Sequence, residues 1–140
     1  MVVWILFIVN LYIFMITREP EKLTRVREKY ATLREALVRD DKFPELHRAM
    51  PLTAYYQTWY GGIGYNTNKG FEIGLCIDGE VNEVFHVLLH ELAHCTVREY
   101  DHTDAYWNNY IELRDLALSL GIYERIPQRT PFCGKEVQDK

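Results

Sequence analysis

The 140-residue sequence contains few cysteines, and the three present (Cys76, Cys95 and Cys133) are an odd number at unrelated spacings. A disulfide-stabilised secreted scaffold needs a larger, paired set, so these cysteines predict no disulfide framework and a reducing compartment. Glycine and proline are also sparse, at 8 and 5 residues, which excludes collagen-like and low-complexity chains. With 48% hydrophobic and 26% charged residues, the composition is typical of one folded domain.

The sequence also lacks an excess of positive charge, since its formal net charge is −4. The charge is uneven: residues 18–48 carry nine Lys/Arg against seven Asp/Glu, whereas residues 49–140 carry seven against thirteen. A protein that binds nucleic acid mainly by neutralising phosphates needs a basic surface. The charge therefore argues against nucleic acid as a partner.

The first sixteen residues (MVVWILFIVNLYIFMI) form one hydrophobic run in which Asn10 is the only strongly polar side chain. The run lacks the features of a secretory signal, because no basic residue precedes it and no small-residue cleavage site follows. As a helix it is about 24 Å long, somewhat short of the roughly 30 Å hydrocarbon core, and the alternative is a buried helix of the domain. Basic residues follow the run, beginning with Arg18 and Lys22. By the positive-inside rule, residues 1–17 are predicted to be an uncleaved, single-pass transmembrane helix with the remaining domain on the cytoplasmic side.

Residues 18–140 read as a single α+β domain without internal repeats. The hydrophobic periodicity predicts an amphipathic helix, two strands, a helix that is apolar on nearly every side, a last helix and a loop-like tail. Their predicted ranges are 20–40, 53–60, 70–78, 80–98, 103–120 and 122–140. Within the second strand, Phe71, Ile73, Leu75 and Ile77 are expected on one face.

The apolar helix contains His90-Glu91-Leu92-Ala93-His94, which is an H-E-x-x-H pattern. Residues four apart share a helix face, so both imidazoles can bind one ion. Zinc accepts neutral imidazole nitrogens, and a catalytic zinc site keeps one position for water. Glu91 lies at the edge of the same face, where its carboxylate can act as a general base. The pattern predicts one Zn²⁺ ion bound by His90 and His94, with Glu91 as the catalytic residue.

A catalytic zinc usually takes three protein ligands, so a third residue is needed. His102 is favoured because the polar segment before it, residues 95–101, can end the helix and turn back. Glu112 on the following helix is the alternative. Tyr100 and Tyr106 are both candidate oxyanion donors, and His86 is interpreted as a core or cap histidine.

Three blocks of this sequence resemble the zincin metallopeptidases, specifically the WLM group related to SprT-like proteins. The blocks are Gly64-Tyr65-Asn66-Thr67-Asn68-Lys69-Gly70, the H-E-x-x-H helix, and His102 followed by Tyr106-Trp107. The resemblance implies a small zincin-like domain with His90, His94 and His102 as ligands and Glu91 as general base. The segment between the second and third histidines is two residues longer than the family pattern and lacks its glycine.

The sequence is also similar to small metallopeptidase-like proteins encoded by large DNA viruses, which implies a viral or virion membrane and virion proteins as candidate partners. The leading hypothesis is a membrane-anchored zinc endopeptidase that binds a protein or peptide substrate along the strand at residues 70–78. A structural virion protein that retains a zinc site is the first alternative. A protease acting on DNA-crosslinked proteins, as cellular relatives do, is the second.

Overall fold

The computed structural model describes residues 1–58 and 61–140, which form an α+β fold as the sequence predicts. Within these residues there are four α-helices, one short 3₁₀ helix and five strands. The helices are α1 (Val2–Thr17), α2 (Glu21–Arg39), α3 (Val81–Cys95) and α4 (Asp104–Ser119), with the 3₁₀ helix at Pro44–Leu46. The strands are β1 (Leu52–Tyr55), β2 (Gly64–Thr67), β3 (Glu72–Cys76), β4 (Thr130–Phe132) and β5 (Lys135–Val137).

Three of the strands form a mixed sheet in the order β1-β3-β2, in which β1 runs parallel and β2 antiparallel to β3. The central position of β3 corrects the prediction that a substrate binds along residues 70–78, because both edges of this strand are already paired. The strand β2 was not predicted; its four residues alternate between half-buried and exposed positions and carry too little hydrophobic signal. Phe71 is 68% exposed in the turn before β3, so it does not share the buried face of Ile73 and Leu75. The last two residues of the first predicted strand, 59 and 60, lie outside the described residues.

The helix α3 lies in the centre of the domain and contacts α2, α4, β2 and β3. Its apolar side chains are buried on almost every side, which confirms the interpretation of this segment as a central helix. The helix α2 buries one face against it, with Leu23, Val26, Leu33 and Leu37 in the core. The prediction that α3 continues to Arg98 is wrong, because the helix ends at Cys95 and an exposed segment follows.

The tail was predicted to be loop, but residues 130–137 form an antiparallel hairpin of β4 and β5. A disulfide between Cys76 at the end of β3 and Cys133 in the hairpin turn fastens this hairpin to the mixed sheet. The expectation of no disulfide is therefore wrong. The two cysteines are 57 residues apart in sequence, and the hairpin that brings them together was not predicted. The third cysteine, Cys95, is free and buried.

Every residue of α1 is exposed, and its side chains add nothing to the core of the domain. Two polar side chains of α1 bond to the helix's own backbone: Asn10 Nδ2 donates to the Leu6 carbonyl and Thr17 Oγ1 to the Ile13 carbonyl, both at 2.7 Å. Among the described residues, no helix taken alone has both the length and the apolar character needed to cross a membrane, so the transmembrane helix at residues 1–17 stays a prediction. The pair α1 and α2, with a bend of 51° between them, meets the test for a span only when the two helices are taken together.

Candidate metal centre

Three imidazole rings converge at the C-terminal end of α3. His102 Nε2 lies 3.1 Å from His90 Nε2 and 3.1 Å from His94 Nε2. Two nitrogens that each bind one ion at about 2.05 Å with a tetrahedral angle are roughly 3.3 Å apart, so these separations suit a zinc ion. Among the residues that the structure describes, this is the one group of three His, Cys, Asp or Glu side chains close enough to hold a metal. The structure thus brings together all three histidines named from the sequence.

The third histidine reaches the other two because the chain turns back between α3 and α4. Thr103, the residue directly after His102, caps α4 by accepting a hydrogen bond from the Tyr106 backbone N–H at 3.3 Å, which fixes the start of that helix at Asp104. The rival ligand, Glu112, lies elsewhere on α4 and pairs with Lys42 Nζ at 2.5 Å. The geometry therefore favours His102 over Glu112.

The two helical histidines are held in the neutral form that metal binding requires. Burial, together with smaller contributions from repulsion by the His94 and His102 rings, lowers the pKa of His90 to about 3. Burial also lowers the pKa of His94 to about 4, with smaller contributions from His102 and the nearby Lys69 ammonium. At neutral pH both rings therefore offer unprotonated nitrogens.

Glu91 is almost fully buried, with 8% of its surface exposed, although it carries an ionisable group. Its burial raises the pKa of the carboxyl group to about 7, where a carboxylate is an effective proton acceptor near neutral pH. The strand β2 passes close to this group, since a Cβ on Gly64 would lie 3.2 Å from Glu91 Oε1 and 2.5 Å from Val87 Cγ1. Only glycine allows the backbone of β2 to approach the helix so closely.

The two tyrosines named as candidate oxyanion donors have different surroundings. Tyr106 is fully buried behind the histidines, and its hydroxyl already donates to the His90 carbonyl at 3.1 Å. Burial raises its pKa far above the usual range. Tyr106 therefore supports the site and is not free to donate to a substrate. Tyr100 is 76% exposed and lines a small cavity of about 170 Å³ with Asn66, Lys69, Glu91 and His94, so it is the remaining candidate.

Asn66 in β2 and Lys69 in the turn between β2 and β3 contact the C-terminal end of α3, and no role was assigned to either from the sequence. Asn66 Nδ2 donates to the Glu91 carbonyl at 2.9 Å and to Cys95 Sγ at 3.1 Å, while its Oδ1 accepts from the Gly70 N–H. Lys69 Nζ donates to the His94 carbonyl at 2.8 Å and to the Glu99 carbonyl at 2.6 Å. Both residues belong to the Gly64–Gly70 block. The sequence shows that they are polar, but it does not show which backbone groups their side chains will contact.

His86 lies one turn before His90, and the structure places it in the core as expected. Its Nδ1 lies 3.0 Å from the Tyr123 hydroxyl, 3.2 Å from the Tyr110 hydroxyl and 3.3 Å from Asp139 Oδ1. Although burial alone would raise the pKa of Asp139, hydrogen bonds from these partners and from the Ile126 N–H hold it well below its usual range. This buried network fastens the C-terminal residues behind the metal centre.

Comparison with known proteins yields one informative similarity. Over 104 residues, 66% of this chain, the sequence is 32% identical to an uncharacterized protein of Acanthamoeba polyphaga mimivirus. The match covers 53% of that protein, so the chain spans about half the length of this relative. No protein-family model matches the chain, and no solved structure matches it. The chain is therefore similar to a viral protein.

Proposed function

We propose that this protein is a zinc-dependent endopeptidase of the zincin type, similar to the WLM group, and that residues 1–17 anchor it in a membrane. The single observation that carries the proposal is the convergence of three imidazole nitrogens beside a buried glutamate on one helix. A purely structural zinc site has no need of a buried carboxylate and usually closes its fourth position with Cys or His.

In this proposal His90, His94 and His102 hold one zinc ion. The bound ion would lower the pKa of a water molecule and polarise the scissile carbonyl. Glu91 accepts the proton of the attacking water and returns it to the leaving amine, which suits its raised pKa. Tyr106 and Asn66 act on the backbone of α3, where their hydrogen bonds to the His90 and Glu91 carbonyls orient the catalytic face.

The substrate is proposed to be an extended peptide that adds to β2, not to β3. In the described part of the chain, β2 is an outer strand of the mixed sheet and borders the metal centre through Gly64. A peptide that pairs with this edge would receive main-chain hydrogen bonds and lie beside Glu91. Tyr100 and Lys69, which line the adjacent cavity, would contact one of its side chains.

The membrane anchor is proposed from α1. A fully exposed helix of large apolar side chains exposes far more hydrophobic surface than water-facing helices do. Asn10 Nδ2 and Thr17 Oγ1 donate to carbonyls of the helix itself, so these two donors have partners without water, as a lipid environment favours. The similarity to a viral protein supports a viral or virion membrane as the location.

The proposal is tested with the full chain purified in detergent. We expect one zinc ion per chain by elemental analysis, and cleavage of members of a peptide library that stops when a chelator removes the metal. A chain that binds zinc but cleaves no member of a broad library would favour the structural alternative. Cleavage only in the presence of DNA would favour the alternative activity on DNA-crosslinked proteins.

A further inference from the structure

The segment that carries His102 is residues 96–103, and most of it is exposed. Residues 98–102 form a continuous exposed stretch between the end of α3 and the cap of α4. Its start is held where Thr96 Oγ1 donates to the Ala93 carbonyl at 2.7 Å and accepts from Asn109 Nδ2 at 2.8 Å. Its end is held by the Thr103 cap. An exposed chain of this length needs a further contact in its middle to present one histidine in a fixed position.

Lys69 makes that contact. Its ammonium group joins the Glu99 carbonyl, in the middle of the segment, to the His94 carbonyl, at the end of α3, and it lies 4.3 Å from the centroid of the Tyr100 ring. The His94 carbonyl is one of the last four of its helix, which have no partner within the helix and are favourable sites for a cation. One side chain thus connects the helix that carries two histidines to the segment that carries the third.

The backbone of Lys69 also indicates that its side chain is needed. Lys69 has φ +54° and Asn68 has φ +47°, so both lie in the left-handed region that favours glycine. A lysine in this conformation costs about 1 kcal/mol relative to glycine. The turn would fold more easily with glycine at this position, and the contacts of the ammonium group offset that cost.

We propose that Lys69 is a positioning residue for the third metal ligand: it fastens the 96–103 segment to the end of α3 and so holds His102 beside His90 and His94. This inference rests on the proposed zinc site, but the ordering of the segment is a property of the metal-free protein. Lys69 acts through His102 and is not itself a ligand.

The test compares Lys69→Met and Lys69→Gly with the parent, and uses Lys42→Met as a matched control that removes a lysine paired with Glu112 on the surface. Zinc affinity is measured by competition with a chromogenic chelator, and amide hydrogen exchange of residues 97–103 is measured in the metal-free protein. Both Lys69 variants should lose about tenfold or more in zinc affinity, as for other residues that orient a ligand. Exchange of the segment should rise in both, and Lys42→Met should leave both quantities unchanged.

Lys69→Gly distinguishes the loss of the positioning contact from a loss of turn stability. Because glycine adopts the left-handed conformation without strain, this variant should have a melting temperature in the metal-free form that is equal to or higher than that of the parent. In the background of His102→Ala, Lys69→Met should cause little further loss of zinc affinity, since the interaction acts through His102. The inference is overturned if Lys69→Met has the same amide hydrogen exchange in the segment and the same zinc affinity as the parent. It is also overturned if the losses of zinc affinity caused by Lys69→Met and His102→Ala are fully additive. If the parent itself binds no zinc, the proposed function fails, and the exchange comparison still decides whether Lys69 orders the segment.

Discussion

The carboxyl group of Glu91 is buried against the backbone of β2, on the helix that carries His90 and His94. Such a group is costly to ionise without a nearby cation, which explains why burial raises its pKa to about 7. The lowered pKa values of the two helical histidines keep their rings neutral in the same region. At neutral pH the metal-free site therefore contains the neutral rings of His90 and His94 and a partly ionised carboxyl group, an arrangement that a divalent cation would stabilise.

Replacing Glu91 with Gln should stabilise the metal-free protein at alkaline pH. Between pH 4.5 and about 7 the folded parent binds more protons than the unfolded chain does, so its stability falls as the pH rises through this range. Because glutamine does not titrate, the variant does not lose this part of the free energy of unfolding, which is about 3 kcal/mol at most. Urea denaturation with chelator present should show the variant more stable than the parent at pH 8 and similar to it at pH 4. A variant that is less stable at pH 8 would contradict the burial argument.

At the scale of single elements, the helices were predictable because their signals are local. The H-E-x-x-H spacing and the apolar periodicity place α3, and Thr103 and Gly121 (φ +71°) mark the ends of α4. The strand β2 and the hairpin of β4 and β5 were missed, because these strands are only three or four residues long and carry little hydrophobic pattern of their own. The sequence named His102 but not Lys69, because the partners of Lys69 are backbone carbonyls of another element.

The disulfide should contribute measurably to stability by joining β3 to the C-terminal hairpin. A cross-link that closes a loop of 57 residues restricts the unfolded chain, and its removal typically costs about 2–4 kcal/mol. Denaturation of the metal-free protein with and without a reductant should show a loss of this size. A chain with both Cys76→Ser and Cys133→Ser should be insensitive to the reductant. Equal stability of the parent under both conditions would mean that the cross-link does not form.

At the scale of the whole molecule, two features bear on where the protein acts. The basic residues after α1 predict that the domain lies on the cytoplasmic side of a membrane. The sequence also predicted a reducing compartment, because its three cysteines suggested no disulfide framework. The Cys76–Cys133 disulfide removes this support for the cytoplasmic side. The prediction of a cytoplasmic orientation therefore depends only on the basic residues that follow α1.

The full chain should bind membranes through α1. In a flotation assay with lipid vesicles it should move with the lipid and resist extraction by alkaline carbonate. A variant with Ile8→Lys and Leu11→Lys should remain in the aqueous fraction and keep its fold, because both side chains are exposed on α1 and do not contribute to the core. Protease added to the cytoplasmic face of membranes should digest residues 18–140. Protection of that region would contradict the predicted orientation, and flotation of the lysine variant would contradict the anchor.

The central claim is that the three histidines and Glu91 form a hydrolytic zinc centre, and the cleavage rate of Glu91→Gln tests it most directly. Glutamine keeps the size of the side chain but cannot accept the proton of water, so all three histidines should still bind zinc. With zinc content matched to the parent, cleavage of a responsive peptide should fall at least a hundredfold, the usual scale for loss of a general base. His90→Ala should instead lose zinc and activity together. Cleavage by zinc-loaded Glu91→Gln at the parental rate would contradict the account.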